Sequence, residues 1–114
     1  MTALLARERP AAAAPPAALP FISVIVPVRN EERCIRHTLE QLLAQDYPAD
    51  RFEVLVADGR SADATRAVVS LVAARHPNVR LLDNPRRWSS AGRNAAVRAA
   101  RGDVLVHRRT LRDK

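Results

Sequence analysis

The chain has 114 residues, 47% apolar and only 4% aromatic, with a net charge of +7. That length suits one small domain, and its core must come from Val, Leu, Ile and Ala. The positive charge is nearly all arginine, scattered from Arg7 to Arg112; this argues against a nucleic-acid binder, which gathers basic groups on one face and adds stacking aromatics. Cys34 stands alone, which excludes an internal disulfide and a cysteine metal cluster and fits a reducing compartment. No apolar stretch approaches the roughly 18 residues of a membrane span, and the N-terminus lacks the order of a signal peptide. A cytoplasmic protein with no transmembrane segment is expected.

Residues 1–20 are rich in Ala and Pro and read as a disordered leader. Residues 22–26 form a β-branched run closed by Pro27, as in a strand buried on both faces. Asn30 is placed to cap a first helix, with Glu31 and Glu32 in its opening turn and Ile35, Leu39, Leu42 and Leu43 at helical spacing. Tyr47-Pro48 closes it. Residues 52–57 form a second strand, ended by Asp58-Gly59. Ser61 is placed to cap a second helix, with Asp63 near its start and Val68, Leu71 and Val72 on one face; Pro77 stops it. Residues 79–82 form a third strand, broken by Asn84-Pro85. A loop with Arg86, Arg87 and Trp88 follows, with Trp88 expected to cover the core. A third helix opens at Ser89 or Ser90 and ends at Gly102, and residues 104–106 form a fourth strand. The alternation β-α-β-α-β-α-β predicts an α/β fold with a parallel sheet and right-handed crossovers. The expected strand order is 3-2-1-4, which reverses between strands 1 and 4 and places a ligand beyond the strands' carboxyl ends.

Three polar clusters lie at those ends. Glu31 can accept from ribose hydroxyls, or serve a helix start. Asp58 can accept the N3–H of a uracil-type base, with Gly59 allowing close backbone approach, or simply belong to a βα turn. Arg93, beside Asn94 on the third helix, can grip a diphosphate with two prongs, or lie in solvent. Arg86 and Arg87 read as solvated loop charges. His37 and His76 read as ordinary surface residues that nothing pairs as metal ligands. The three glycines, Gly59, Gly92 and Gly102, fit neither a P-loop nor a dinucleotide fingerprint.

The stretch from Ser23 through Val28-Arg29-Asn30 to Glu32 resembles the opening motif of family 2 glycosyltransferases. Residues 39–48 (LEQLLAQDYP), residues 56–65 (VADGRSADAT), and Ala91-Gly92-Arg93-Asn94 with Ala100-Arg101-Gly102-Asp103 resemble its next three segments, in order and without large gaps. The resemblance covers about residues 21–106. It implies a Rossmann-like GT-A half domain and a nucleoside diphosphate sugar as donor, often linked to uridine. Carried over by position, Pro27 and Glu31 line the nucleoside, Asp58 meets the base, and Arg93 and Asn94 approach the diphosphate. In the turn after strand 2, Gly59 stands where many relatives have a second acid.

The family's acidic metal motif would fall near residues 109–111, where this chain reads Arg109-Thr110-Leu111. Oxygen ligands for a divalent cation are therefore missing. Mg or Mn is expected only in the full-length family, and no metal-binding or catalytic residue is assigned here. The family's catalytic base, which deprotonates the acceptor hydroxyl, would lie beyond residue 114. Residues 107–114 form a divergent tail, consistent with a truncation or frame shift near His107. The leading expectation is thus a fragment that binds a nucleoside diphosphate sugar and is inactive alone. A non-catalytic nucleotide-binding or regulatory module is the second reading, and an Arg-rich nucleic-acid binder the third. Strand 4, as an uncovered edge, invites self-association.

Overall fold

The computed structural model describes residues 19–109; residues 1–18 of the expected leader and the last five residues of the tail lie outside the described residues. Four strands alternate with three helices: β1 (Ile22–Val28), α1 (Ile35–Leu43), a single 3₁₀ turn (Ala49–Arg51), β2 (Phe52–Asp58), α2 (Thr65–Arg75), β3 (Val79–Asp83), α3 (Ser89–Ala99) and β4 (Val104–His107). All pairings are parallel, and the order is β3-β2-β1-β4, as the alternation predicted.

The apolar runs of β1 and β2 are buried along their whole length because both faces of the sheet are covered. Successive strand residues point to opposite faces. Ile22, Val24, Val26 and Val28 join Phe52, Val54 and Val56 beneath Ile35, Leu39 and Leu42 of α1 and Val69 and Val72 of α2. The opposite face sets Ile25, Leu55 and Ala57 against Ala96 of α3. Each fully buried Ile, Leu or Val contributes about 1.5–3 kcal/mol. On α2 the buried face is Val69 and Val72, whereas Leu71 is 61% exposed, a correction to the expected stripe.

One acid interrupts the apolar strands. Glu53 lies opposite Ser23 in register, and its side chain is 1% exposed. Its carboxylate accepts from Ser23 Oγ at 2.7 Å and from the Arg101 N–H at 2.8 Å. Arg80 and Arg101 approach it at 3.3 and 3.2 Å. Ser23 Oγ in turn accepts from the Gly102 N–H at 2.8 Å. A Cβ on Gly102 would lie 2.6 Å from both N and Oγ of Ser23, so this close approach excludes any side chain. Phe21 receives Arg51 and Arg101 over its ring, at 6.0 and 5.9 Å. Leu19 and Pro20 are held by their carbonyls, which accept from Arg51 and from the Tyr47 hydroxyl.

Pro27 sits inside β1 without costing a bond to β2. The odd-numbered residues of β1 face β4, since the Phe21 carbonyl accepts from Val104 and the Ile25 carbonyl from Arg108. The next bond would run from residue 27 to the Arg108 carbonyl, and proline has no N–H to give. The β1–β4 ladder ends there.

Burial would raise the Glu53 carboxyl, but the Arg101 N–H, the Ser23 hydroxyl and the nearby guanidinium charges outweigh it and hold the group below its ordinary value of 4.5. A depressed folded value means that the stability is complete above the unfolded value and is lost as pH falls through the folded one. Glu53→Gln should therefore cost about 2 kcal/mol at pH 7, less than the 3–5 kcal/mol of a fully buried pair because both arginines reach water. It should also flatten the loss of stability below about pH 4.5; urea midpoints of both proteins from pH 7 to 3 measure this.

Candidate functional site

The carboxyl ends of β1, β2 and β3 carry three loops that bind one another. The β1–α1 loop and the β2–α2 loop exchange bonds in both directions. Asn30 Oδ1 accepts from the Ala62 N–H at 2.7 Å, and Glu32 Oε1 from the Ala64 N–H at 2.8 Å. In return Ser61 Oγ accepts from the Asn30 N–H at 2.8 Å, Thr65 Oγ1 from the Glu31 N–H at 2.8 Å, and Asp63 Oδ2 from the Glu32 N–H at 3.3 Å. The expected caps are corrected accordingly. Helix α1 starts at Ile35, with Cys34 before it making no side-chain cap, and α2 starts at Thr65. Asn30 and Ser61 satisfy the opposite loop, while Asp63 also receives the Thr65 N–H and hydroxyl. Desolvation pushes the Asp63 carboxyl up, and the donors from Thr65 and Glu32 bring it below the usual range.

Three residues other than glycine adopt positive φ: Asn30 at 55°, Arg60 at 59° and Arg87 at 70°. One lies in each of the three loops. Each costs about 1–2 kcal/mol in backbone strain, and such residues cluster where surrounding structure fixes a working geometry. The Arg60 guanidinium meets Asp83 at 3.3 and 3.0 Å and holds its carboxyl below the usual range. Gly59 fits beneath Arg87, whose carbonyl oxygen would lie 2.9 Å from an added Cβ.

Asp58 is fully buried at the end of β2. Its Oδ1 accepts from Ser61 Oγ at 2.6 Å, and its Oδ2 from the Ser61 N–H at 3.0 Å and from Arg66 at 3.1 Å. Arg66 also approaches Asp83 at 3.7 Å, and its side chain is 44% exposed.

Beside these loops opens a cleft of about 160 Å³, lined by Pro27, Val28, Arg29 and Glu31 from β1 and its loop, and by Asn84, Arg87, Trp88 and Ser89 from the β3–α3 segment. Glu31 is a buried acid on one wall. Arg87 and the first residue of α3 form the other. Buried Asn84 fixes this wall, donating from Nδ2 to the Trp88 carbonyl at 2.8 Å and from its N–H to the Asp58 carbonyl at 2.8 Å. Trp88 is 69% exposed and lines the cleft instead of covering the core, a second correction. Helix α3 ends at Ala99, before the expected Gly102.

Of the five residues singled out by sequence, Pro27 and Glu31 line this cleft, and Asp58 lies behind it with its oxygens occupied. Arg93 and Asn94 sit on the exposed side of α3, outside the cleft lining. Sequence reasoning missed Ser61, Thr65, Arg66 and Asp83, whose partners lie 8 to 34 residues away in most cases. Arg87, expected in solvent, is exposed and also lines the cleft.

A parallel sheet whose order reverses at β1, with a polar cleft beside the carboxyl end of β1, is the arrangement of a Rossmann-like GT-A half domain. Residues 23–107 match the family described as glycosyl transferase family 2, and the chain belongs to that family. It is 35% identical over 88 residues to the dolichyl N-acetyl-alpha-D-glucosaminyl phosphate 3-beta-D-2,3-diacetamido-2,3-dideoxy-beta-D-glucuronosyltransferase of Methanococcus voltae, covering 75% of this chain and 27% of that protein. The mannosyltransferase PcManGT of Pyrobaculum calidifontis, solved with GDP-Man and Mn²⁺, superposes with a TM-score of 0.72 at 35% identity, over 91% of this chain and 31% of that one. S. aureus TarS 1–349 with UDP superposes with a TM-score of 0.70 at 31% identity, over 79% of this chain and 27% of that one. The chain thus spans under a third of the length of these relatives.

Among the described residues no group of three His, Cys, Asp or Glu side chains is placed to hold a metal ion, and no helix is long and apolar enough to cross a membrane. Directly after β4 come Arg108, which donates to Gln41 Oε1 at 2.8 Å, and Arg109. Two guanidinium groups repel a divalent cation, so the residues present there do not fit one.

Ser61 joins the two loops through Asp58 and Asn30. Ser61→Ala should lower stability by about 1–2 kcal/mol, the loss of a buried charged hydrogen bond and its neighbour, read as a reduced midpoint in chemical denaturation.

Proposed function

We propose that this chain carries the nucleotide-binding half of a transferase that uses a nucleoside diphosphate sugar and, in the longer proteins of its family, passes the sugar to an acceptor hydroxyl. The observation that carries the reading is the pairing of walls in the cleft. A buried acid, Glu31, faces the loop that holds Arg87 and the N-terminus of α3. Carboxylates accept from ribose hydroxyls. A guanidinium beside the positive end of a helix dipole favours a diphosphate. Pro27 supplies an apolar floor, while Arg93 and Asn94, one turn along α3 and outside the cleft lining, are the proposed contacts for a phosphate that reaches beyond it.

The relatives solved with GDP-Man and with UDP support a nucleotide as the ligand. Asp58 is the proposed anchor for the base. It is sealed by Arg66, whose guanidinium is partly in water, so a base N–H reaches the carboxylate by displacing Arg66. Uridine is the favoured nucleoside because its N3–H is a donor that a carboxylate accepts.

Arg108 and Arg109 support a second element of the reading: the 114-residue chain alone binds nucleotide without transferring sugar. A cation that neutralises the leaving diphosphate has no ligands there, and binding energy by itself does not lower a reaction barrier.

Calorimetry with UDP and with GDP tests the reading. Asp58→Ala should weaken UDP binding about ten- to a hundredfold, the value of a hydrogen bond to a charged group. Arg66→Ala should leave it unchanged or tighten it. UDP binding that ignores Asp58→Ala while falling with Arg66→Ala would assign the base elsewhere, and sugar transfer by the purified chain would overturn the inactivity.

A further inference from the structure

We propose that Trp88 is the stacking platform for the nucleobase: it sets how tightly a nucleotide is held, while Asp58 sets which one. This role rests on the cleft being the nucleotide site. The chain has four aromatic residues. Phe52 is buried in the core, Tyr47 packs against it, and Phe21 lies beneath two guanidinium groups. Trp88 differs from all three, since its side chain lines the cleft.

The backbone that carries this indole is clamped in place. The Trp88 carbonyl accepts from Asn84 Nδ2 at 2.8 Å, and the Asn84 N–H donates to the Asp58 carbonyl at 2.8 Å. Trp88 is thus two hydrogen bonds from the proposed base anchor. Arg87, directly before it, is held at a φ of 70° with its carbonyl packed on Gly59. Gly92, one turn into α3, is buried against Asn84, Pro27 and Ala57. A ring mounted on a fixed wall loses little further freedom when a ligand stacks on it.

The chemistry of the cleft selects the base over other parts of the ligand. Asp58 takes the edge of the base and Glu31 the ribose hydroxyls, so the ring plane lies between the β1 wall and the β3–α3 wall. Pro27 offers an apolar surface on the first and Trp88 on the second. Stacking on an indole tolerates any base, because every base has a π face. Recognition of the base edge by a carboxylate does not, because it demands a donor. Affinity and identity are therefore divided between two residues on different elements.

Fluorescence tests this directly, because the chain holds one tryptophan. Uridine, UDP and GDP should each quench it, and the UDP curve should give the affinity measured by calorimetry. Trp88→Leu should weaken UDP and GDP alike, by about five- to fiftyfold, the range of one base–aromatic stack. Trp88→Tyr keeps a flat ring and should recover most of the loss. Asp58→Ala should instead cost UDP more than GDP. The urea midpoint of Trp88→Leu should match that of the parent chain, since substitution of an exposed side chain changes stability little. Emission unchanged by UDP that calorimetry shows to be bound would overturn the role of Trp88 alone. So would unchanged affinity in Trp88→Leu, or quenching by a UDP-sugar but not by UDP, which would give the indole to the sugar. No heat from UDP with the parent chain would overturn the nucleotide site itself, and this role with it.

Discussion

One buried carboxylate holds the starts of all four strands. Glu53 of β2 takes the Ser23 hydroxyl of β1, the Arg80 guanidinium of β3 and the Arg101 N–H at the entry to β4. A charge this deep is tolerated only when its lone pairs are filled by donors of fixed geometry. The requirement acts in both directions. The donors hold the charge, and the charge sets where each strand begins, because a slip of one residue would carry Glu53 to the opposite face among the valines beneath α1 and α2. Strand register is thus fixed at the end of the sheet remote from the cleft.

The same strand ends in a second buried acid. Asp58 organises the other end of the sheet as Glu53 organises the first, and there too the guanidinium partner reaches water. Arg66 and Ser61 close over it, and the loops around it carry the backbone strain at Asn30, Arg60 and Arg87. β2 therefore joins a base set by Glu53 to a rim set by Asp58. The base fixes the strands so that the rim can hold costly geometries, and the cleft opens on the rim between Glu31 and Arg87.

Much of this was legible in the sequence. The β-branched runs, their spacing and the intervening amphipathic stretches gave four strands, three helices and the strand order, because these follow from burial on two faces and from the handedness of crossovers. Local chemistry misled at the helix starts. Asn30 and Ser61 have the right side chains for caps, yet each satisfies the loop across from it, and nothing local distinguishes an N–H three residues away from one thirty-one residues away. Glu53 carried a readable signal that went unused: an acid inside a strand buried on both faces demands partners. Arg87 and Trp88 were unreadable because the β3–α3 segment takes its shape from Asn84 and from the Asp58 carbonyl, a contact made only once β2 and β3 are side by side.

Pro27 ends the ladder between β1 and β4. Any other residue there would turn an amide hydrogen toward the Arg108 carbonyl, one rung further along, at the point where the strand order reverses. The length of that ladder is in this sense set by a single absent proton, on an imino acid that also lines the cleft.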